Sequence, residues 1–191
     1  MLSITPSLYN AYYWYAVKDH GTKEDFLRVL RKEPSEPNEA MRAGIAFEDN
    51  VRDICEGRVA PTDDNASKLA NILEGGIWQP TLGREFKGLW LYGRADVIKC
   101  DTIYDIKVCE SYDFGKYRYS LQHHIYSYCT EISKFVYAVS EQKKTVDYLF
   151  FEAYHFDTAA TEDMEIKIND LIGFINNNDE FRREYEAKWQ R

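Results

Sequence analysis

Four charged residues stand in stretches whose apolar pattern leaves no obvious place for charge. Asp96 lies within Leu91-Tyr92-Gly93-Arg94-Ala95-Asp96-Val97-Ile98, and Asp105 and Lys107 lie within Ile103-Tyr104-Asp105-Ile106-Lys107-Val108. Glu48 sits between Phe47 and Val51, at the edge of an apolar helical stripe. Side chains alternate along a strand, so Asp105 and Lys107 share one face while Ile106 points to the other. A tight turn at Cys100-Asp101 folds this strand back beside the one carrying Asp96. Carboxylates gathered at a core margin are costly unless compensated. Lys107 offsets one negative charge of three, and a hard divalent cation with oxygen ligands offsets the rest, which suits Mg²⁺ or Mn²⁺. The backbone carbonyl of Ile106 is a further candidate ligand. Such an ion polarises a phosphoryl oxygen and lowers the pKa of water. Lys107 is then placed to orient or deprotonate the attacking water, or to stabilise the transition state. The chemistry this pattern suggests is phosphodiester hydrolysis.

Each residue taken singly has a plainer reading. An Asp-x-Lys pair is an ordinary surface ion pair, Asp96 an ordinary strand-end residue, and Glu48 an i, i+4 partner of Arg52. Their joint order carries the argument, together with the elements that must hold them. Thr5-Pro6-Ser7 opens a first helix with Leu8, Tyr12 and Tyr15 at near-helical spacing. Thr22 with Asp25 resembles a capping box ahead of Phe26, Val29 and Leu30. Ser35-Glu36-Pro37 begins the helix of Glu48, with Ala40, Phe47, Val51, Ile54 and Cys55 inward, and a short helix spans 64–74 before Gly75-Gly76. The period then shifts to two. Segments 84–87, 89–99 and 102–108 read as an antiparallel three-strand meander. A long helix is expected over 116–131, with Leu121, Ile125 and Tyr128 inward. Strands follow at 135–140 and 146–154, joined by Glu141-Gln142-Lys143-Lys144. A helix from about Ala159 turns Met164, Ile168, Leu171, Ile172 and Ile175 to the core. This order predicts a mixed α/β fold with helices packed on a central sheet.

The series Gly44-Ile45-Ala46-Phe47-Glu48, Gly93-Arg94-Ala95-Asp96, Asp105-Ile106-Lys107 and Gln122-His123-His124-Ile125-Tyr126 resembles the PD-(D/E)XK nuclease superfamily. It is most similar to the RecB-like and lambda-exonuclease-like branch, which shows a helical Gly-x-x-x-Glu, a Gly-x-x-Asp strand, an (Asp/Glu)-x-Lys strand and a Gln-x-x-x-Tyr helix in this order. The resemblance covers 5–154 and includes an opening Ser7-Leu8-Tyr9 helix. It implies a restriction-endonuclease-like core, a central mixed β-sheet flanked by helices, with N-terminal helices and a C-terminal helix. It also implies metal binding by Glu48, Asp96 and Asp105, with Lys107 as base or charge stabiliser. Gln122 and Tyr126, one helical turn apart, would buttress the site or contact DNA. Phe47 stands where many RecB-like members carry a His. Related nucleases with an iron–sulfur cluster have a C-terminal cysteine run, and this chain has no cysteine after Cys129, so no cluster is expected. The activity implied is a metal-dependent DNA nuclease, an exonuclease in recombination or end processing of phage or mobile-element type. A single-strand annealing protein is the partner suggested by the same resemblance, and a ring-shaped homo-oligomer its assembly. A structure-specific or restriction-type endonuclease, or a silent nuclease-fold binding module, is the alternative.

The 191 residues suit one domain, 1–191, with 45% hydrophobic and 29% charged residues. No apolar run is long enough to span a membrane, the N-terminus has no export signal, and Cys55, Cys100, Cys109 and Cys129 form no C-x-x-C pair, so a cytoplasmic chain with buried thiols is expected. The net charge of −8 argues against general nucleic-acid binding. Residues 84–118 reverse that balance locally, with seven basic against six acidic residues, while the remainder carries 17 against 26. Arg94, Lys116 and Arg118 in this stretch are candidate DNA contacts, and the aromatic–basic segment 112–119 reads as a strand-binding rim or as a solvated loop. The run Tyr12-Tyr13-Trp14-Tyr15 reads as core or as a stacking surface. Of the adjacent His123 and His124, which diverge by about 100° on a helix, one is expected to pack and the other to be solvated.

Overall fold

Helix starts are set by local side chains. In the computed structural model, which describes residues 1–62, 64–143 and 147–191, Thr5 accepts the Leu8 N–H at 3.1 Å and Pro6 opens α1 (Pro6–Tyr12). Thr22 and Asp25 close a full capping box on α2 (Lys23–Leu30). Asn38 caps α3 (Glu39–Cys55) and Asp64 caps α4 (Asn65–Leu73). Helix α3 therefore begins after Pro37 rather than at Ser35, because Asn38 supplies the acceptor for the Met41 N–H. Ala40 falls in its exposed first turn, while Phe47 and Val51 are buried. Helix α1 runs on into a π-helical turn, Tyr13–Val17, which leaves Tyr12 buried and Trp14 exposed.

Among the described residues eight strands form two sheets. They are β1 (Leu2–Ile4), β2 (Ile77–Trp78), β3 (Thr81–Phe86), β4 (Leu89–Arg94), β5 (Val97–Lys99), β6 (Thr102–Cys109), β7 (Lys134–Gln142) and β8 (Asp147–His155). One sheet has the order β1-β4-β3 and the other β2-β5-β6-β7-β8. The expected strand over 89–99 is thus broken at Ala95-Asp96, and its halves enter different sheets. Ala95 is fully buried and its N–H donates to the Pro80 carbonyl at 3.2 Å, so a loop segment takes the pairing that a continuous meander would use. Strands β1 and β2, too short to show a period, are held by tertiary pairing with β4 and β5.

Strands β6 and β7 are parallel, and α5 (Gln122–Thr130) is the crossover between them. This helix is about half the expected length. Residues 114–119 form i, i+3 turns instead, and the Tyr117 ring leaves to stack on Tyr137 at 4.5 Å between centroids. Strands β7 and β8 are antiparallel; Lys144 of the expected turn and Val146 of the expected strand lie outside the described residues. The C-terminal segment is two helices rather than one, α6 (Thr158–Asn176) and α7 (Asp179–Lys188), separated because Asn178 accepts the Glu180 and Phe181 N–H groups. Met164, Ile168, Leu171 and Ile175 are buried as expected, and α7 adds Phe181 and Tyr185. The Trp189 indole donates to the Leu30 carbonyl and the Tyr185 hydroxyl to that of Ser3, closing the C-terminus over β1 and α2.

The described residues form two apolar clusters. One joins α1, α2, α5, α6 and α7 to β4, β6 and β7; the other packs α3 and α4 on Val97, Ile106 and Ala138. Among the described residues no helix is long and apolar enough to cross a membrane. The four cysteines are free. Cys100, expected as a buried thiol, is exposed because it occupies the left-handed turn position between β5 and β6, at φ 52°.

Both α5 histidines are buried, correcting the expectation that one is solvated. His123 stacks on Tyr154 and its Nδ1 lies 3.2 Å from the Tyr137 hydroxyl. His124 Nε2 lies 3.0 Å from Asp163, which also pairs with Lys167. Burial, reinforced by the neighbouring His124 imidazole and then by Lys167, pulls His123 down to about 2; burial and Lys167 pull His124 to about 4 against the opposing charge of Asp163. The unfolded chain binds protons near pH 6.5 that the folded chain refuses, so stability falls as pH drops below about 6.5 toward 4. Urea midpoints measured across that window should decline with acid, and His123→Phe, which keeps the stack, should flatten the decline.

Candidate functional site

Strand β6 places Asp105 and Lys107 on the face covered by α5. Asp105 is 1% exposed. Its Oδ1 accepts a hydrogen bond from the Gln122 amide. Its Oδ2 is enclosed and faces the Lys107 ammonium, 2.5 Å away, as an ion pair. Lys107 itself keeps 31% of its side chain exposed, so the pair has a buried and an open end. Ile106, between them, points the other way into the cluster of Phe47, Val51 and Val97.

Asp96 falls at the interruption between β4 and β5. Rather than lying on the strand face beside Asp105, its carboxylate turns to the β6 edge, where Oδ2 accepts the Ile106 N–H at 2.6 Å. The side chain replaces the backbone acceptor lost where β5 pairing stops at Val97. In an extended residue the N–H and C=O leave on the same side, so the Ile106 carbonyl faces the same edge. Gln79 completes the arrangement, a residue that no spacing in the sequence marks. Its backbone N–H donates to the Asp96 carbonyl at 2.8 Å, and its Nε2 donates to Glu48 Oε1 at 2.8 Å. It holds a left-handed backbone, φ 49°. Arg52 pairs with Glu56, so Glu48 is not the i, i+4 partner of Arg52 that a plain surface reading requires. Glu48 arrives on α3 from the Ile106 side of β6, and Asp105 faces α5 on the other; Asp96 stands between them.

Crowding of these groups dominates the electrostatics. Burial, then the charge of Asp105, pushes the Asp96 carboxyl well above its ordinary range, with Glu48 adding to the effect and Lys107 opposing it. Burial also raises Asp105, against the pull of Lys107 and Gln122. Burial works to discharge Lys107, but Asp105 and Asp96 overcome it and hold the ammonium above its usual range. Among the described residues no three carboxylate, imidazole or thiol side chains form a ready cage for a metal ion. The donor chemistry nevertheless fits a hard cation. Two crowded, buried carboxylates stand within one electrostatic field with a single ammonium between them, and a third is held by a neutral amide.

The Gln-x-x-x-Tyr helix is tied to the Gly-x-x-Asp strand by close packing. The Tyr126 hydroxyl donates to the Arg94 carbonyl at 2.9 Å, and a Cβ on Gly93 would lie 2.5 Å from the Tyr126 ring. Gly93 is thus required by the approach of Tyr126. Beside Lys107, Gln122 and Tyr126 a cleft of about 420 Å³ opens, walled by Tyr9, Tyr13 and Trp14 on one side and by Lys116, Tyr117 and Tyr119 on the other. Lys116 therefore lines this cleft. Arg118 borders a second depression with Phe114 and Glu152, with its guanidinium 5.4 Å from the Tyr119 ring centroid. Arg94 is exposed, and only its backbone carbonyl is engaged. The aromatic run is divided, with Tyr12 in the core and Tyr13 and Trp14 on the cleft.

No family model matches the chain, and no curated protein does. Among solved structures, the fold is similar to that of a protein from Eubacterium rectale named "Putative exonuclease", with a TM-score of 0.59 and 13% identity over 98% of this chain and 83% of that one. The protein SSO0001 is 17% identical over 82% of this chain and 88% of that one, with a TM-score of 0.40. At such identities the first likeness bears on the fold alone, and it agrees with the nuclease-like mixed α/β core.

Two substitutions test the packing and the crowding. Asp96→Asn keeps an acceptor for the Ile106 N–H and removes a charge, so in EDTA its thermal midpoint should exceed wild type by about 2–4 °C, the shift that each kcal/mol produces at this size. Added Mg²⁺ should raise the wild-type midpoint and leave the variant unmoved; an unchanged or lower midpoint in EDTA would mean the carboxylates are not in conflict. Gly93→Ala should lose about 1–3 kcal/mol in urea unfolding through overpacking, a loss relieved when Tyr126→Ala is combined with it.

Proposed function

We propose that this chain is a Mg²⁺-dependent DNA nuclease of the RecB-like and lambda-exonuclease-like PD-(D/E)XK type, acting on DNA ends. The observation that carries the reading is the convergence of Glu48, Asp96, Asp105 and Lys107, from three separate elements, on the interrupted strand at Asp96. The likeness of fold to a protein named as an exonuclease is consistent with it. Asp96, Asp105 and the Ile106 carbonyl would hold the ion, with Glu48 joining once its bond to Gln79 is exchanged. When bound, Mg²⁺ supplies the Lewis-acid chemistry of phosphoryl transfer.

The protein's own groups do the remaining work. Gln122 fixes the carboxylate plane of Asp105 from one side and Lys107 pairs with it from the other. Because Lys107 is ion-paired, it acts as an ammonium, suited to stabilising charge that builds on the phosphate oxygens rather than to removing a proton. Its exposed end lies in the cleft, where a phosphate can reach it. Tyr126 keeps β4 and α5 in register and so keeps Gln122 over Asp105.

Asp105→Ala and Lys107→Ala should each remove most Mg²⁺-dependent degradation of end-labelled linear DNA, a fall of about a hundredfold to a thousandfold if charge stabilisation is lost. Lys107→Ala should retain the wild-type far-ultraviolet circular dichroism. Closed circular DNA should survive under conditions that degrade the linear form. Rapid cutting of the circle would assign an endonuclease, and undiminished cleavage by either variant would remove the site from consideration.

A further inference from the structure

Strand β8 forms one edge of the five-stranded sheet, and among the described residues no further strand pairs with it. Its nine residues, Asp147-Tyr148-Leu149-Phe150-Phe151-Glu152-Ala153-Tyr154-His155, match β7 one for one, so no bulge bends the edge. They include no Lys and no Pro, the residues that commonly blunt an open edge. Glu152 does not guard it either, being buried against Tyr112, Gly115 and Tyr154. Tyr148, Phe150 and Phe151 stay 45%, 37% and 43% exposed. Just past the strand, the Phe156 N–H donates to the Ser133 carbonyl at 2.7 Å. Backbone groups alternate sides along a strand, so the even-numbered residues face β7, and 147, 149, 151, 153 and 155 turn their N–H and C=O groups outward. A regular outward row of donors and acceptors, flanked by half-exposed rings, is a template for another strand.

We propose that β8 pairs antiparallel with β8 of a second copy of this chain, in register about Phe151, so that the two sheets become one. The strand is self-complementary about that centre. Phe151 meets the partner's Phe151, Leu149 the partner's Ala153 and Asp147 the partner's His155. All of these turn outward, so each outward N–H finds a carbonyl, and Asp147 faces an imidazole rather than a like charge. On the other face of the strand, the partner's Phe150 stands opposite Glu152. A depression of about 360 Å³ opens there, walled by Phe114, Gly115 and Arg118 and by Glu152, Ala153 and Tyr154. No β7 residue lines it, so it lies along the outer edge, and Phe114, 81% exposed, would cover the incoming ring. Nucleic acid finds no lysine or arginine on β8, and the match of the strand to itself favours a copy over an unrelated strand. The contact is isologous, so it closes at two copies instead of building a ring. It goes beyond the nuclease reading and stands without it.

Sedimentation velocity of the whole protein across the micromolar range should show a species of twice the 22.5 kDa chain mass. Phe151→Lys sets like charges opposite each other at the two-fold and should weaken dimerisation about a hundredfold, in the range of a central aromatic anchor. Ala153→Pro removes an outward N–H while sparing the β7 ladder, and should weaken it about tenfold for the two bonds lost. Both positions are exposed, so matched far-ultraviolet circular dichroism of the dilute proteins verifies that folding is intact. The register has its own test. In a Cys100→Ser background, which removes the exposed native thiol, Phe151→Cys should cross-link two copies on oxidation, the paired Cα atoms lying about 5.5 Å apart. Asp147→Cys, far from its own symmetry mate, should not. A monomer at every concentration, an oligomer that Phe151→Lys leaves intact, or equal cross-linking by the two cysteine variants overturns the proposal. Cleavage of DNA enters none of these readouts. A protein that dimerises through Phe151 and never cuts loses the nuclease assignment alone, and one that cuts as a monomer loses the edge pairing alone.

Discussion

The hydrogen bond from the Ile106 N–H to the Asp96 carboxylate is the contact around which the site is organised. It exists because β4 and β5 are one run of chain cut in two, and the cut leaves a ladder donor of β6 without its backbone acceptor. An unsatisfied buried amide costs roughly 1–3 kcal/mol, and Asp96 removes that cost with a side chain. The same move draws a carboxylate to the strand edge, within the field of Asp105, Lys107 and Glu48. Strand topology thus creates the charge cluster; continuous β-pairing through Asp96 would have left no reason for the side chain to turn there.

The cluster is balanced by imperfect partners. Gln122 and Lys107 together serve Asp105, and Gln79 alone serves Glu48 through a neutral amide. One ammonium stands among three carboxylates. Such an arrangement sacrifices stability for readiness, as sites commonly do. The surrounding packing makes the sacrifice tolerable. Cluster residues Phe47, Val51 and Ile106 anchor α3 from one side of β6, and Leu121, Ile125 and Tyr137 anchor α5 from the other. The site sits where those two packed layers meet, so neither layer can shift without moving a carboxylate.

Substantial parts of this were legible in the residues. The helix starts at Thr5 and Thr22 were legible because a cap depends on a side chain and an N–H three residues away. The inward stripe of α6 was legible for the same reason, since its period is a local property. The order Glu48, Asp96, Asp105, Lys107 was legible because charge inside an apolar run stands out against its neighbours. Errors gathered where distant contacts outweigh local preference. The segment 116–121 has helix-compatible spacing, but stacking of Tyr117 on Tyr137 and bonds from Tyr112 and Gly115 to Glu152 hold it as turns. Asn178 splits the C-terminal helix through a cap that an apolar period does not register.

What the sequence determined by itself was therefore the inventory: which residues carry charge, which stripes turn inward, and which side chains begin helices. Each of these depends on neighbours within about one turn of chain. Tertiary structure alone decided where that inventory meets. It sent the two halves of 89–99 to different sheets, buried both His123 and His124 under α6, brought Gln79 against Glu48, and divided an aromatic run between core and cleft. Those outcomes depend on pairing and packing between residues tens of positions apart, and their free energies appear only when the partner surfaces are in place.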